Sequence, residues 1–133
     1  MRATRSNPDT VAKPVGTYSH AVRVETDDTT WIYISGQIAN DLEGKLVGSG
    51  DLRAQTRQVF ENLRAILEAN GATFADVVKI GTYLSTLDDL AGMREVRSEY
   101  LTPEPPASTA VQVVALVVPD AMIEVDLVAA VPA

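Results

Sequence analysis

A chain of 133 residues fits one domain with a single core and is too short for two. It holds no cysteine, which excludes disulfides, thiolate nucleophiles and cysteine metal sites and fits a cytoplasmic home. Eleven basic against eighteen acidic residues leave a net charge of −7, and no Lys/Arg run offsets that field, so DNA is excluded as a partner and RNA is disfavoured. The first ten residues lack the apolar run of a signal peptide, and no later stretch is long enough to span a membrane.

Residues 1–15 are polar and carry Pro8 and Pro14, which predicts an extended or frayed lead-in before a single domain over 16–133. His20–Glu25 alternates weakly and suits a first strand. Trp31–Ser35, aromatic and β-branched, predicts a firm second one, with Asp27–Thr30 as the turn between them. Asp41–Gly44 reads as a turn, and Lys45–Gly48 as a short third strand.

From Asp51 to Asn70 the apolar residues Leu52, Val59, Phe60, Leu63, Ile66 and Leu67 recur at three- and four-residue steps. Gln55, Arg57, Gln58, Arg64 and Glu68 fall on the other faces, so an amphipathic helix with one buried stripe is expected. Asn70-Gly71 stops it, since glycine adopts the left-handed cap conformation without a Cβ clash. Val77–Leu84 follows as a strand with Val78, Ile80, Thr82 and Leu84 on one face. Thr86–Asp89 has the spacing of a capping box, with Asp in the acidic place, and opens a second helix to about Leu101. Its inner side takes Leu90, Met93, Val96 or Arg97, and Tyr100; Pro103, Pro105 and Pro106 end it.

Two closing strands complete the order βββαβαββ: a nearly continuous apolar run over Thr109–Val118, then Met122–Ala130 with Ile123, Val125 and Leu127 opposite Glu124, Asp126 and Val128. Two helices on one face of a mixed sheet make an α+β sandwich. The closing strands are apolar on both sides, so the second face also needs cover, and in so small a chain another copy is the natural cover.

Read together, GTYSHAV at 16–22, SGQIA at 35–39, Gln55-Thr56 with Glu61-Asn62-Leu63, NGAT at 70–73 with DVVKI at 76–80, and PASTAVQV at 106–113 followed by Ile123-Glu124-Val125 resemble the Rid/YjgF family in order and spacing. The resemblance runs from about Gly16 to Ala130, and its specificity lies in the ordered combination of motifs. It implies a chorismate-mutase-like fold, a homotrimer, and clefts between subunits that bind a small metabolite. It also implies hydrolysis of reactive imines and enamines, with release of ammonia and without metal or cofactor. An endoribonuclease activity is attributed to the same family.

Imine hydrolysis needs water delivered to an electrophilic carbon and protons carried to nitrogen, which a positioned carboxyl group can do. Glu124 matches the family's water-handling glutamate, although alternation alone reads it as an outward strand residue. Asp126 shares its strand face and reads as structural or solvent-facing. Tyr18 stands where the family has a pocket tyrosine, and Ser35-Gly36 where strand backbone meets the ligand; a loop aromatic and a simple strand end are the plain alternatives.

The family clamps the substrate carboxylate with an Arg after a Pro-Ala pair, the planar fork suited to that group, but here Ser108 follows Pro106-Ala107. Arg94, on the second helix, is the candidate substitute clamp, while Arg97 reads as a solvated basic residue paired with Glu95 or Glu99. His20 replaces a common Gln and reads either as a general base beside Tyr18 or as a hydrogen-bonding residue at a strand start. With one His and no Cys, no metal site is expected, and GSGD at 48–51 reads as a helix start, not a phosphate loop. Three readings follow: a Rid-like hydrolase or deaminase, a non-catalytic trimer that binds a metabolite, and, behind both, an endoribonuclease.

Overall fold

The computed structural model describes residues Met1–Ala133. Six strands, β1 (Arg2–Ser6), β2 (Ala21–Glu25), β3 (Thr29–Gln37), β4 (Val77–Leu84), β5 (Ala107–Gln112) and β6 (Ile123–Pro132), form one sheet in the order β1-β2-β3-β6-β4-β5. Only β4 and β5 run parallel; every other neighbouring pair is antiparallel, so the sheet is mixed. Two helices, α1 (Leu52–Ala69) and α2 (Leu90–Ser98), complete the expected βββαβαββ order.

The third of the opening strands is not where its sequence suggested. Lys45–Gly48 makes only a single bridge, Asn40 to Leu46, and the strand that completes the trio is β1, inside the expected lead-in. Polar residues sit there because β1 is an edge strand, held by backbone pairing to β2 and not by side-chain burial. Val11, also in that segment, is buried in the core.

Helix α1 starts at Asp51, whose carboxylate accepts from the Ala54 backbone N–H at 3.1 Å, and ends at Asn70-Gly71, with Gly71 at φ 76°. Leu52, Val59, Phe60, Leu63, Ile66 and Leu67 are all buried, and so is Thr56; Gln55, which polarity had assigned to the outer faces, is buried as well. Helix α2 is shorter than expected and its cap is Asp89, which accepts from the Gly92 N–H, while Thr86 accepts only from Asp88. Val96 takes the inner position and Arg97 is half-buried. Phe60, Phe74 and Tyr100 meet at ring-centre distances of 5.2–5.7 Å beneath the helices.

In β4 a bulge between Val77 and Lys79 shifts the phase of the strand. Val77 and Ile80 therefore point into the core and Val78 is exposed, whereas strict alternation had put Val78 inside. In β6 the alternation holds: Ile123, Val125 and Leu127 face the helices, and Glu124, Asp126 and Val128 the other side. That other side is uncovered in the single chain. Trp31, Tyr33 and Val111 lie exposed on it, and Val114 and Val117 project from the loop that replaces the second half of the expected 109–118 strand. No helix is long and apolar enough to cross a membrane.

Candidate active site

The candidate site begins at an irregularity in β3. Between Ile34 and Gln37 its pairing with β6 slips, which leaves Ser35-Gly36 as a bulge beside Glu124. The Ser35 N–H donates to the His20 carbonyl at 2.9 Å, and its hydroxyl donates to the Ser19 carbonyl at 2.6 Å, so the bulge is tied to the segment carrying Tyr18 and His20. Gly36 gives Glu124 its room: a Cβ there would lie 3.0 Å from Cγ, Cδ and Oε2 of Glu124 and would press that side chain aside.

Helix α1 braces the same region from below. Asn62 donates to the carbonyls of Ile38 (3.2 Å) and Asn40 (2.9 Å), which fixes the chain leaving β3. Gln55 donates to the carbonyls of Gly48 (3.1 Å) and Asp120 (3.0 Å) and accepts from the Met122 N–H at 2.8 Å, which fixes the chain entering β6 two residues before Glu124. Hence Gln55 and Asn62 in the Gln55-Thr56 and Glu61-Asn62 motifs: they hold the two strand ends that carry the site.

A cleft of about 290 Å³ opens over this frame, within the range of a small-metabolite pocket. Tyr18, His20, Ser35, Gly36, Asn62 and Glu124 line it, together with Lys13, Ile38 and Val118. Tyr18, Ser35, Gly36 and Glu124, the residues singled out in the sequence, are thus brought together. Lys13 is the only Lys or Arg on the lining and forms no ion pair; nothing in its local sequence marked it. Ser108, on the exposed edge strand β5, and Arg94, exposed on α2, do not line the cleft of this chain.

Arg97 does not pair with Glu95 or Glu99, because Arg53 and Arg57 of α1 take them at 3.2 and 2.7 Å. Arg94 and Arg97 are left as two cations without acidic partners, and burial, with Arg94's charge adding, pulls the Arg97 guanidinium below its ordinary value.

Burial pushes the Glu124 carboxyl above the usual carboxylate range, and the Asp126 charge adds to the push. Asp126, read as structural or solvent-facing, is half-buried and accepts from the Tyr83 hydroxyl at 3.2 Å. His20 is buried with its Nδ1 unpartnered; burial lowers its pKa below 6.5, against a smaller opposing pull from the Ala12 carbonyl. No group of three or more His, Asp or Glu is arranged to hold a metal ion.

This frame has known counterparts. The sequence profile described as endoribonuclease L-PSP matches residues 9–131. The chain belongs to the Rid/YjgF family. It is 44% identical to a RutC family protein of Pyrococcus abyssi over 88% of each chain. It is 33% identical, over 78% of each, to the 2-iminobutanoate/2-iminopropanoate deaminase of Dermatophagoides farinae. The crystal structure of RidA from an Antarctic Psychrobacter superposes with a TM-score of 0.84 at 38% identity, covering 96% of this chain and 99% of that one. The profile match begins at residue 9, upstream of Gly16, and so includes the Lys13 segment.

Proposed function

We propose that this Rid/YjgF protein is a hydrolase that deaminates a small imine or enamine bearing a carboxylate, acting as a homotrimer. The observation that carries this reading is Glu124, a half-buried carboxyl with a raised pKa, set beside Tyr18, Ser35 and Gly36 in a metabolite-sized cleft. Overall, R2C=NH and water give R2C=O and ammonia. Glu124 in its acid form protonates the substrate, an imine at nitrogen or an enamine at carbon. As the resulting carboxylate it accepts a proton from the attacking water and returns it to the departing nitrogen, then takes the remaining hydroxyl proton as the carbonyl forms, which restores the acid. The raised pKa makes the acid form easier to hold than in an ordinary, solvated carboxyl.

The Ser35 and Gly36 backbone borders the reacting group, and Tyr18 closes the cleft. In place of the arginine missing at Ser108, Lys13 supplies positive charge within the chain, and Arg94, free of acidic partners, supplies it from a neighbouring copy. The exposed Trp31, Tyr33 and Val111 on the open sheet face support assembly, since another copy would bury them.

The departure at Ser108 favours one alternative, a trimer that binds a metabolite without turning it over. RNA cleavage is less well supported: the net charge is −7 and Lys13 alone contributes a fixed positive charge to the cleft.

An ammonia-release assay with imines formed in situ from several amino acids separates these readings, with Glu124→Ala and Ser108→Arg run beside the wild type. Release by the wild type that Glu124→Ala abolishes is expected. Silence from the wild type with activity appearing in Ser108→Arg would replace the enzyme by the binding protein.

A further inference from the structure

Glu124 and Asp126 lie two residues apart on one face of β6, with about 7 Å between Cα atoms. Both are half-buried, so holding two negative charges there is costly. Their hydrogen bonding is unequal. Tyr83, directly opposite Glu124 in the β4 register, passes it by and donates its hydroxyl to Asp126 Oδ2 at 3.2 Å.

Gly81, opposite Asp126, makes room for this bond: a Cβ there would sit 2.5 Å from Asp126 Oδ1 and 3.1 Å from the Tyr83 hydroxyl. No protein donor bonds the Glu124 carboxyl, and Gly36 leaves its end against the cleft.

We propose that the Tyr83–Asp126 hydrogen bond decides which of the two carboxyls carries the proton: Asp126 is the anion and Glu124 the acid that faces the cleft. A donor stabilises the ionised form of the carboxyl it serves. Whenever the pair holds a single proton, the carboxyl lacking a donor therefore carries it. Tyr83 is thus a positioning residue that acts through Asp126.

The other ionisable groups on this side do not displace the assignment. Lys79 lies on the same face of β4, Tyr33 on β3, and Lys13, Tyr18 and His20 line the cleft; none forms an ion pair with either carboxylate. Strands β2 and β5 contribute only Val22, Val24, Ala107, Thr109 and Val111 to that face, and Arg5 of β1, paired with Val22, lies three strands from β6 and forms no ion pair. Burial, with the Asp126 charge adding, raises Glu124.

The catalytic meaning of the pair rests on the role proposed above for Glu124, but the placement of the proton does not. The test is a carboxyl-carbon NMR titration of the full chain, as wild type, Tyr83→Phe and Asp126→Asn, with Glu124→Gln to assign the signal. The wild type is expected to show Glu124 titrating above the ordinary carboxylate range. Tyr83→Phe and Asp126→Asn should each bring Glu124 down towards that range. Glu124 titrating unchanged in both variants, each retaining a native amide spectrum, would overturn the proposal.

The pH profile of ammonia release gives a second readout: the alkaline limb should move to lower pH in both variants. Should the wild type release no ammonia while the titrations behave as expected, the deaminase reading fails and the carboxyl pair stands.

Discussion

Replacing Gln55 by Met tests whether a buried amide, and not only the apolar stripe around it, holds the two ends of the cleft together. Gln55 is fully buried and makes three hydrogen bonds to backbone groups of Gly48, Asp120 and Met122. Methionine keeps the length and much of the volume, so little cavity is created. Each lost bond removes about 1 kcal/mol net, and the partly buried backbone groups left without partners add a little, for a total of about 3–4 kcal/mol.

A folding entropy of about 2.1 cal/mol/K per residue gives about 0.28 kcal/mol/K for 133 residues, so the lower figure corresponds to a fall in Tm of about 10 °C. Urea unfolding monitored by circular dichroism, at a fixed protein concentration because assembly contributes to stability, measures the loss directly. A loss below about 1 kcal/mol with an unchanged m-value would refute the reasoning and make the amide incidental. The cleft should loosen with the fold, so surviving Gln55→Met protein should bind its ligand more weakly.

Thr82 carries the opposite lesson: its hydroxyl is buried without a partner, so Thr82→Val should raise stability by about 1 kcal/mol in the same unfolding assay. Glu124 has a raised pKa, so the folded state holds that proton more tightly than the unfolded chain does. Its contribution to stability then falls as pH rises from the ordinary carboxylate range through the raised value, and Glu124→Gln should remove that decline. His20 has a lowered pKa, so the unfolded chain binds its proton first and stability falls as pH drops below about 6.5. Denaturant midpoints against pH should show that acid-side loss in the wild type and not in His20→Gln.

Much of the fold was legible in the sequence because it follows from local periodicity. The stripe of Leu52, Val59, Phe60, Leu63, Ile66 and Leu67 marks α1, and the alternation of Ile123, Val125 and Leu127 with Glu124 and Asp126 marks β6. Where periodicity and pairing disagree, sequence reading failed. Arg2–Ser6 has no apolar pattern and becomes a strand only because the edge of β2 is there to pair with it. Val78 falls out of phase because a bulge in β4 is a property of the β4–β6 pairing and not of β4 alone.

The candidate site divides in the same way. Tyr18, Ser35, Gly36 and Glu124 could be named from ordered motifs, and the structure gathers them in one cleft. Lys13 lies within a segment with no pattern, and only the folded chain swings it over Glu124's side of the sheet.

From its composition and periodicity, then, the sequence determines the apolar stripe of α1 and where that helix starts and stops, which residues of β6 face the helices, and that no thiol chemistry is available. These are one-dimensional facts, set by spacing along the chain. The tertiary structure alone decides that Gln55 and Asn62 are buried braces, that Glu95 and Glu99 belong to Arg53 and Arg57, and that Tyr83 serves Asp126 and not Glu124. Each joins residues more than twenty places apart, except the Gln55 bond to Gly48. A hydrogen bond or ion pair depends on distances of about 3 Å, and spacing along a chain does not encode those until the sheet has been assembled.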